Sequence, residues 1–165
     1  MTLAPTPPRI QLCGSTVIEL QGRRLEDRLP GRQGRLLFAY LVLNRHRPTG
    51  REEVALALWP DGSLTARSGL DPLLSKLRRV LGAATVEGRS TLRLQLGPDA
   101  AIDVEPAVRS AHRAESHVLQ HEWAEAWGPA LAAELIAERE FLPGEDLAWV
   151  LEERAELAEI RLRAL

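Results

Sequence analysis

Three cations fall within four residues in the stretch LDPLLSKLRRVLG, Leu70 to Gly82: Lys76, Arg78 and Arg79, with the hydroxyl of Ser75 beside them. The chemistry these groups offer is binding rather than proton transfer. A guanidinium fork matches a phosphate or the O6/N7 edge of guanine, and an ammonium supplies a mobile point charge. Two further cations, Arg89 and Arg93, follow in VEGRSTLRLQL (Val86 to Leu96), and Arg45, Arg47 and Arg51 precede in NRHRPTGREE. Together they describe a surface for a polyanion.

Little else in the chain could react. His117 and His121 stand one helical turn apart, and HEWAE (His121 to Glu125) approaches a zinc-protease motif, but the second histidine of HExxH is missing. There is no P-loop, no GxSxG, and no cysteine besides Cys13. The expectation is therefore no enzyme, no metal site and no cofactor. Cys13 reads as a small buried residue, and a lone cysteine excludes an internal disulfide.

The cations need elements to hold them. At about 100° per residue, Leu70, Leu74, Leu77 and Leu81 share one face of a helix. Asp71, Ser75 and Arg79 lie opposite, with Lys76 and Arg78 to either side. Val86 to Leu96 reads as two strands around a glycine turn that carries Arg89 near its tip. A basic helix followed by a basic hairpin fits a winged helix, in which the helix enters the DNA major groove and the hairpin lies over the neighbouring backbone.

Upstream, residues 1 to 8 are Pro-rich and expected to form a disordered tail. Arg9–Leu12, Val17–Leu20 and Leu25–Leu29 alternate as three short strands of a small antiparallel sheet. From Gln33 to Asn44 apolar residues are too many for one stripe, so that helix should be buried on most sides. Thr49 to Glu52 fits a capping box, with Thr49 as the cap of a second helix whose apolar face is Val54, Ala55, Leu58 and Trp59. Pro72 predicts a late start for the basic helix, with Asp71 as N-cap and Pro72 in the first turn, or Ser68 and Asp71 as a capping pair.

Charge divides the chain. Residues 1 to 98 carry 15 Lys or Arg against 8 Asp or Glu, whereas residues 99 to 165 carry 6 against 15. A positive half suits phosphate contact, and an acidic half would be turned away from DNA. No apolar run is long enough for a membrane span, and prolines occupy the start where a signal peptide needs an apolar stretch. A cytoplasmic protein without membrane partners is expected.

Beyond Gly97-Pro98-Asp99, read as a linker, the chain looks wholly helical: Val104–Leu119, Glu122–Glu138 with a break at Gly128-Pro129, and Leu147–Leu165. Trp123 and Trp127 read as an exposed pair, Trp59 as core. The last helix carries a stripe including Leu157 and Ile160 that predicts a homodimer through the C-terminal helices.

The words RLLFAYLVLNRHRPTGREEVALALWPD (Arg35 to Asp61), SKLRRVLG (Ser75 to Gly82), Ile102-Asp103-Val104 and EFLPGEDLAWV (Glu140 to Val150), in this order, resemble the bacterial antibiotic regulatory proteins. That family has an OmpR/PhoB-type winged helix followed by a helical bacterial transcriptional activator domain. The resemblance implies an α+β winged helix over residues 9–98, with a small antiparallel sheet and a C-terminal wing hairpin. Part of an all-α, tetratricopeptide-like domain would follow over residues 102–165. The family usually has Gly-Tyr where this chain has Ser90-Thr91.

The function expected is a sequence-specific DNA-binding transcriptional regulator. Ser75, Lys76, Arg78 and Arg79 would meet the major groove, Arg89 and Arg93 the adjacent backbone or minor groove, and Arg45, Arg47 and Arg51 further phosphates. Its partners would be double-stranded DNA and, through the helices, RNA polymerase or a sensor domain. The alternative is a protein-interaction module in which a degenerate winged helix serves as scaffold.

Overall fold

The computed structural model describes residues 6–62, 64–82 and 85–165, with side chains for all of these except 64–67. Of the expected disordered tail, residues 1–5 lie outside the described residues. The chain forms two compact units, one built mainly from Ile18–Ala100 and the other from Arg9–Val17 with Ala101–Leu165. Its elements are β1 (Arg9–Gln11), β2 (Val17–Leu20), β3 (Arg23–Arg24), α1 (Gly31–Leu43), β4 (Thr49–Gly50), α2 (Arg51–Leu58), α3 (Leu64–Leu81), β5 (Val86–Glu87), β6 (Thr91–Leu94), β7 (Ala101–Ile102), α4 (Val104–Leu119), α5 (Trp123–Ala137) and α6 (Ala148–Ala164).

In the first unit α1 buries every residue from Leu36 to Val42, as its dense apolar run requires. Val54 and Leu58 of α2 and Leu70, Leu73, Leu74, Leu77 and Leu81 of α3 are buried as well. The hairpin strands β5 and β6 pair antiparallel, with Val86 opposite Leu94 and Glu87 opposite Arg93. Strand β6 also pairs antiparallel with β4, Thr49 opposite Leu92. This second pairing fixes the hairpin beside the start of α2.

Three sequence expectations change here. The third strand is Arg23–Arg24, antiparallel to β2, and Glu26–Arg28 is a 3-10 turn. The Leu25 N–H donates to the Ile18 carbonyl at 2.8 Å and the Ile18 N–H to Glu26 Oε2 at 3.1 Å, so the chain turns where alternation alone extends it. Thr49 does not cap α2. It is held in β4, its buried hydroxyl has no partner among the described residues, and Gly50 takes the N-cap position. Helix α3 does not start late: its backbone is helical from Leu64 with Pro72 inside. A proline there costs about 3 kcal/mol. Burial of five leucines, each contributing about 1.5–3 kcal/mol, outweighs it.

In the second unit the expectation of a wholly helical segment after Asp99 fails, as does that of a purely antiparallel sheet. Strand β1 pairs in parallel with β7, Arg9 with Ala101 and Ile10 with Ile102. Cys13 makes an antiparallel bridge to Phe141. Asp103 fastens this end of the unit: its carboxylate accepts the Leu12 N–H at 3.0 and 3.1 Å and the Cys13 N–H at 2.9 Å. Burial holds the Asp103 pKa above the ordinary carboxyl range even though these donors favour the charged form.

Helices α4 and α5 pack against each other, and what they bury is mostly small: Ala107, Ala111 and Ala114 in α4, Ala126 and Ala133 in α5. Helix α5 runs unbroken through Gly128 and Pro129. Pro129 lies in its second turn, where alanines and the contact with α4 keep the helix going. In α6, Val150, Leu157 and Ile160 are buried within the unit. The stripe expected to join two copies through Leu157 and Ile160 is thus already covered. No helix among the described residues is long and apolar enough to cross a membrane.

Candidate nucleic-acid interface

The exposed side of α3 is what its leucine stripe leaves over. Because Leu70, Leu74, Leu77 and Leu81 face the core, Ser75, Lys76 and Arg79 are turned outward, and all three are exposed. Arg89 is exposed in the turn between β5 and β6. None of the Lys76, Arg79 or Arg89 side chains makes an ion pair or hydrogen bond with another described residue. These four residues, Ser75 included, present a hydroxyl and three positive charges to solvent.

The other five candidates are engaged. Arg78 donates from Nε to the Val86 carbonyl at 2.9 Å and from Nη2 to the Gly88 carbonyl at 2.8 Å. Arg51 donates from Nη1 to the Arg89 carbonyl at 3.1 Å and pairs with Asp71 of α3 through Nη2. Arg93 reaches from Nε to the Arg45 carbonyl at 3.3 Å, and Arg45 from Nη1 to the Val42 carbonyl at 3.4 Å. The carbonyl contacts leave Arg78, Arg93 and Arg45 their charge, whereas Asp71 offsets that of Arg51.

Arg47 sits in a small network. It donates from Nη1 to Glu53 Oε2 at 3.1 Å and from Nη2 to Asn44 Oδ1 at 2.8 Å, and also pairs closely with Glu53 Oε1. The Tyr40 hydroxyl donates to the same Glu53 oxygen at 3.0 Å. Hydrogen bonding by Arg47 holds the Glu53 carboxyl below its usual range, and Glu53 in turn raises the Arg47 guanidinium. Burial first, and the Glu53 carboxylate second, push the Tyr40 phenol up to about 12. Arg47 is neutralised locally, so it is the weakest phosphate candidate of the nine.

Residue type and spacing alone do not mark Asp71 and Glu53 as partners of Arg51 and Arg47. Asp71 lies 20 residues from Arg51 and Glu53 lies 6 from Arg47. The carbonyls held by Arg78 are equally silent in sequence, because any residue has one. Among the described residues no group of three or more His, Cys, Asp or Glu is placed to hold a metal. His117 Nδ1 instead meets Glu122 at 2.7 Å, and His121 stacks edge-on against Trp123.

Architecture and surface define a mixed α+β protein with a small N-terminal sheet and six helices among the described residues. That architecture is similar to the solved structure of Mycobacterium tuberculosis EmbR in complex with a low affinity phosphopeptide: TM-score 0.79 at 22% identity, covering 95% of this chain and 43% of that one. In sequence, 62 residues are 39% identical to the transcriptional regulatory protein EmbR of Mycobacterium tuberculosis (strain ATCC 25618 / H37Rv) and of Mycobacterium bovis (strain ATCC BAA-935 / AF2122/97). The match covers 35% of this chain and 15% of those relatives, so the chain spans a minor part of the proteins it resembles. No family model matches it.

Proposed function

We propose that this chain is a DNA-binding transcriptional regulator of the OmpR/PhoB winged-helix type, with α3 as the helix that enters the major groove and β5–β6 as the wing. The observation that carries this reading is the exposed set of Ser75, Lys76 and Arg79 on a helix whose opposite face is buried leucine. Similarity to a relative named as a transcriptional regulatory protein supports it. The functional division we propose is residues 9–98 for DNA and residues 102–165 as part of a tetratricopeptide-like activator domain, in a cytoplasmic protein without enzymatic activity. The test is fluorescence anisotropy with a mixed-sequence duplex at low salt. Binding is expected; its absence would refute the reading.

Two features of the second unit favour protein partners in addition. Trp123 and Trp127, on successive turns of α5, are 63% and 72% exposed, and Leu119 and Leu165 are exposed with them along a groove of about 770 Å³. Two indoles and two leucines so exposed make an apolar face of the kind that marks an interaction surface. We assign the homodimer expected through the C-terminal helices to this face, in place of Leu157 and Ile160. Trp127→Glu should convert a dimer to a monomer in sedimentation, and a wild-type chain that sediments as a monomer would overturn the assignment. RNA polymerase or a sensor domain remains the heterologous partner of the interaction-module alternative, which the proline inside α3 and the engaged arginines favour.

A further inference from the structure

We infer that Arg78 and Arg51 are positioning residues that lock the hairpin turn to α3, and that contact with DNA falls to Ser75, Lys76, Arg79 and Arg89 around them. The inference rests on the DNA-binding reading above and changes which arginines do the reading.

The turn between β5 and β6 is tight. Gly88 has φ +100°, and a Cβ added there would meet the Thr91 carbonyl oxygen at 1.8 Å. A turn carbonyl that no ladder bond uses needs another donor. Here two consecutive carbonyls are taken by two arginine side chains, and the next accepts a backbone N–H that continues the β4–β6 pairing. Gly88 is held by Arg78 Nη2 at 2.8 Å, Arg89 by Arg51 Nη1 at 3.1 Å, and Ser90 by the Arg51 backbone N–H at 3.3 Å. The Val86 carbonyl, at the start of β5, is held by Arg78 Nε.

The two arginines come from different elements and act on one body. Arg78 projects from α3 itself, so it ties the turn directly to the proposed reading helix. Arg51 opens α2, and its Nη2 pairs with Asp71, which belongs to α3. Helix α3 is thereby linked to the turn twice, near its C-terminal end by Arg78 and near its middle by Asp71 through Arg51. The spacing between Arg79 on the helix and Arg89 on the turn is set before any ligand arrives. Pre-ordering of this kind removes an entropy cost that a loose hairpin would bear on binding. A guanidinium suits the task because its planar fork reaches two acceptors at once, two carbonyls for Arg78 and a carbonyl with the Asp71 carboxylate for Arg51, whereas an ammonium with the same charge is a single point.

The difference between locking and contacting is measurable with paired substitutions. If Arg78 touches a phosphate, Arg78→Lys keeps most affinity for a mixed-sequence duplex. In that case Arg78→Gln loses affinity, and its slope of log K against log salt becomes shallower by about 0.9. If Arg78 is a lock, Lys and Gln weaken binding alike, by about tenfold, and both keep the wild-type slope. In the free protein, amide exchange at residues 87–92 should then speed up in both variants. Arg51→Lys should repeat the pattern at lower amplitude, and it serves in place of Arg78→Gln if that variant fails to fold. Retained affinity and retained exchange protection in Arg78→Lys and Arg51→Lys would overturn the inference. The exchange arm needs no DNA, so a chain that binds no duplex yet shows the lock in exchange would refute the functional reading and leave the lock standing.

Discussion

An arginine that reaches from a helix to two carbonyls of a neighbouring loop occurs in both units, and its surroundings differ. Arg78 of α3 holds Val86 and Gly88. Arg154 of α6 holds the Phe141 carbonyl at 2.8 Å and the Leu142 carbonyl at 2.7 Å. Around Arg78 lie exposed cations and a hydroxyl. Arg154 instead has the Glu140 carboxylate at 3.1 Å, which neutralises it, while the surface beyond α4 and α5 is indole and leucine. The same device therefore serves two ends. In the first unit it steadies a loop and leaves net positive charge at the surface, as a polyanion requires; in the second it steadies a loop and adds no field.

The largest effect is expected where the second unit is fastened. Asp103→Ala leaves the Leu12 and Cys13 N–H groups without their acceptor in a buried place, a loss of about 2–6 kcal/mol at about 1–3 per unmet donor. Chemical denaturation should show it as destabilisation of the second unit. An unchanged midpoint would mean that β1 is held by something other than Asp103.

Next comes the comparison of the two arginine settings themselves. Arg79→Ala should weaken duplex binding by about 1–3 kcal/mol if it reads a base or phosphate. Arg154→Ala should leave duplex binding unchanged and lower stability by about 1–3 kcal/mol through its unpaired carbonyls. Equal losses of DNA affinity in both would break the distinction between the units.

A smaller effect concerns pH. Burial, and secondarily Glu156, raise Glu153 of α6 to about 7. Since the folded chain holds this proton more tightly than the unfolded chain, the stabilisation is complete below the ordinary carboxyl range and is lost as the pH rises through about 7. Allowing for partial solvent screening, the loss is about 1–2 kcal/mol. Thermal unfolding at pH 5 and pH 8 should show it, and Glu153→Gln should remove that part of the difference. In the first unit the Glu53 carboxyl is lowered by its hydrogen bond from Arg47, so that unit should not share the fall.

Much of the architecture is legible from local pattern. The leucine stripe of α3, the dense apolar run of α1 and the bounds of α4 follow from periodicity, because each reports a face that one helix must bury. The hairpin follows from alternation around Gly88. What pattern misses is long-range. Residues Ala101 and Ile102 become a strand only because Arg9 and Ile10 are there to pair with, and Leu157 and Ile160 are covered by parts of the unit far off in sequence. Prolines mislead in the same direction, since Pro72 and Pro129 both sit in helices that tertiary burial sustains. Of the candidate interface, residue types and spacing mark the cations but not their partners. Carbonyls of the hairpin turn, and the carboxylates of Asp71 and Glu53, decide which arginines are engaged, and neither has a local signature.

The central claim is that the surface of α3 and its hairpin takes the DNA backbone by charge. Its most direct measure is duplex affinity of the whole chain across a salt series. With Lys76, Arg79 and Arg89 unengaged among the described residues, and Arg45 and Arg93 bonded only to carbonyls in the contacts given above, three to five neutralised phosphates predict a log–log slope between about −2.7 and −4.5. Affinity that stays level from low to physiological salt would contradict the account.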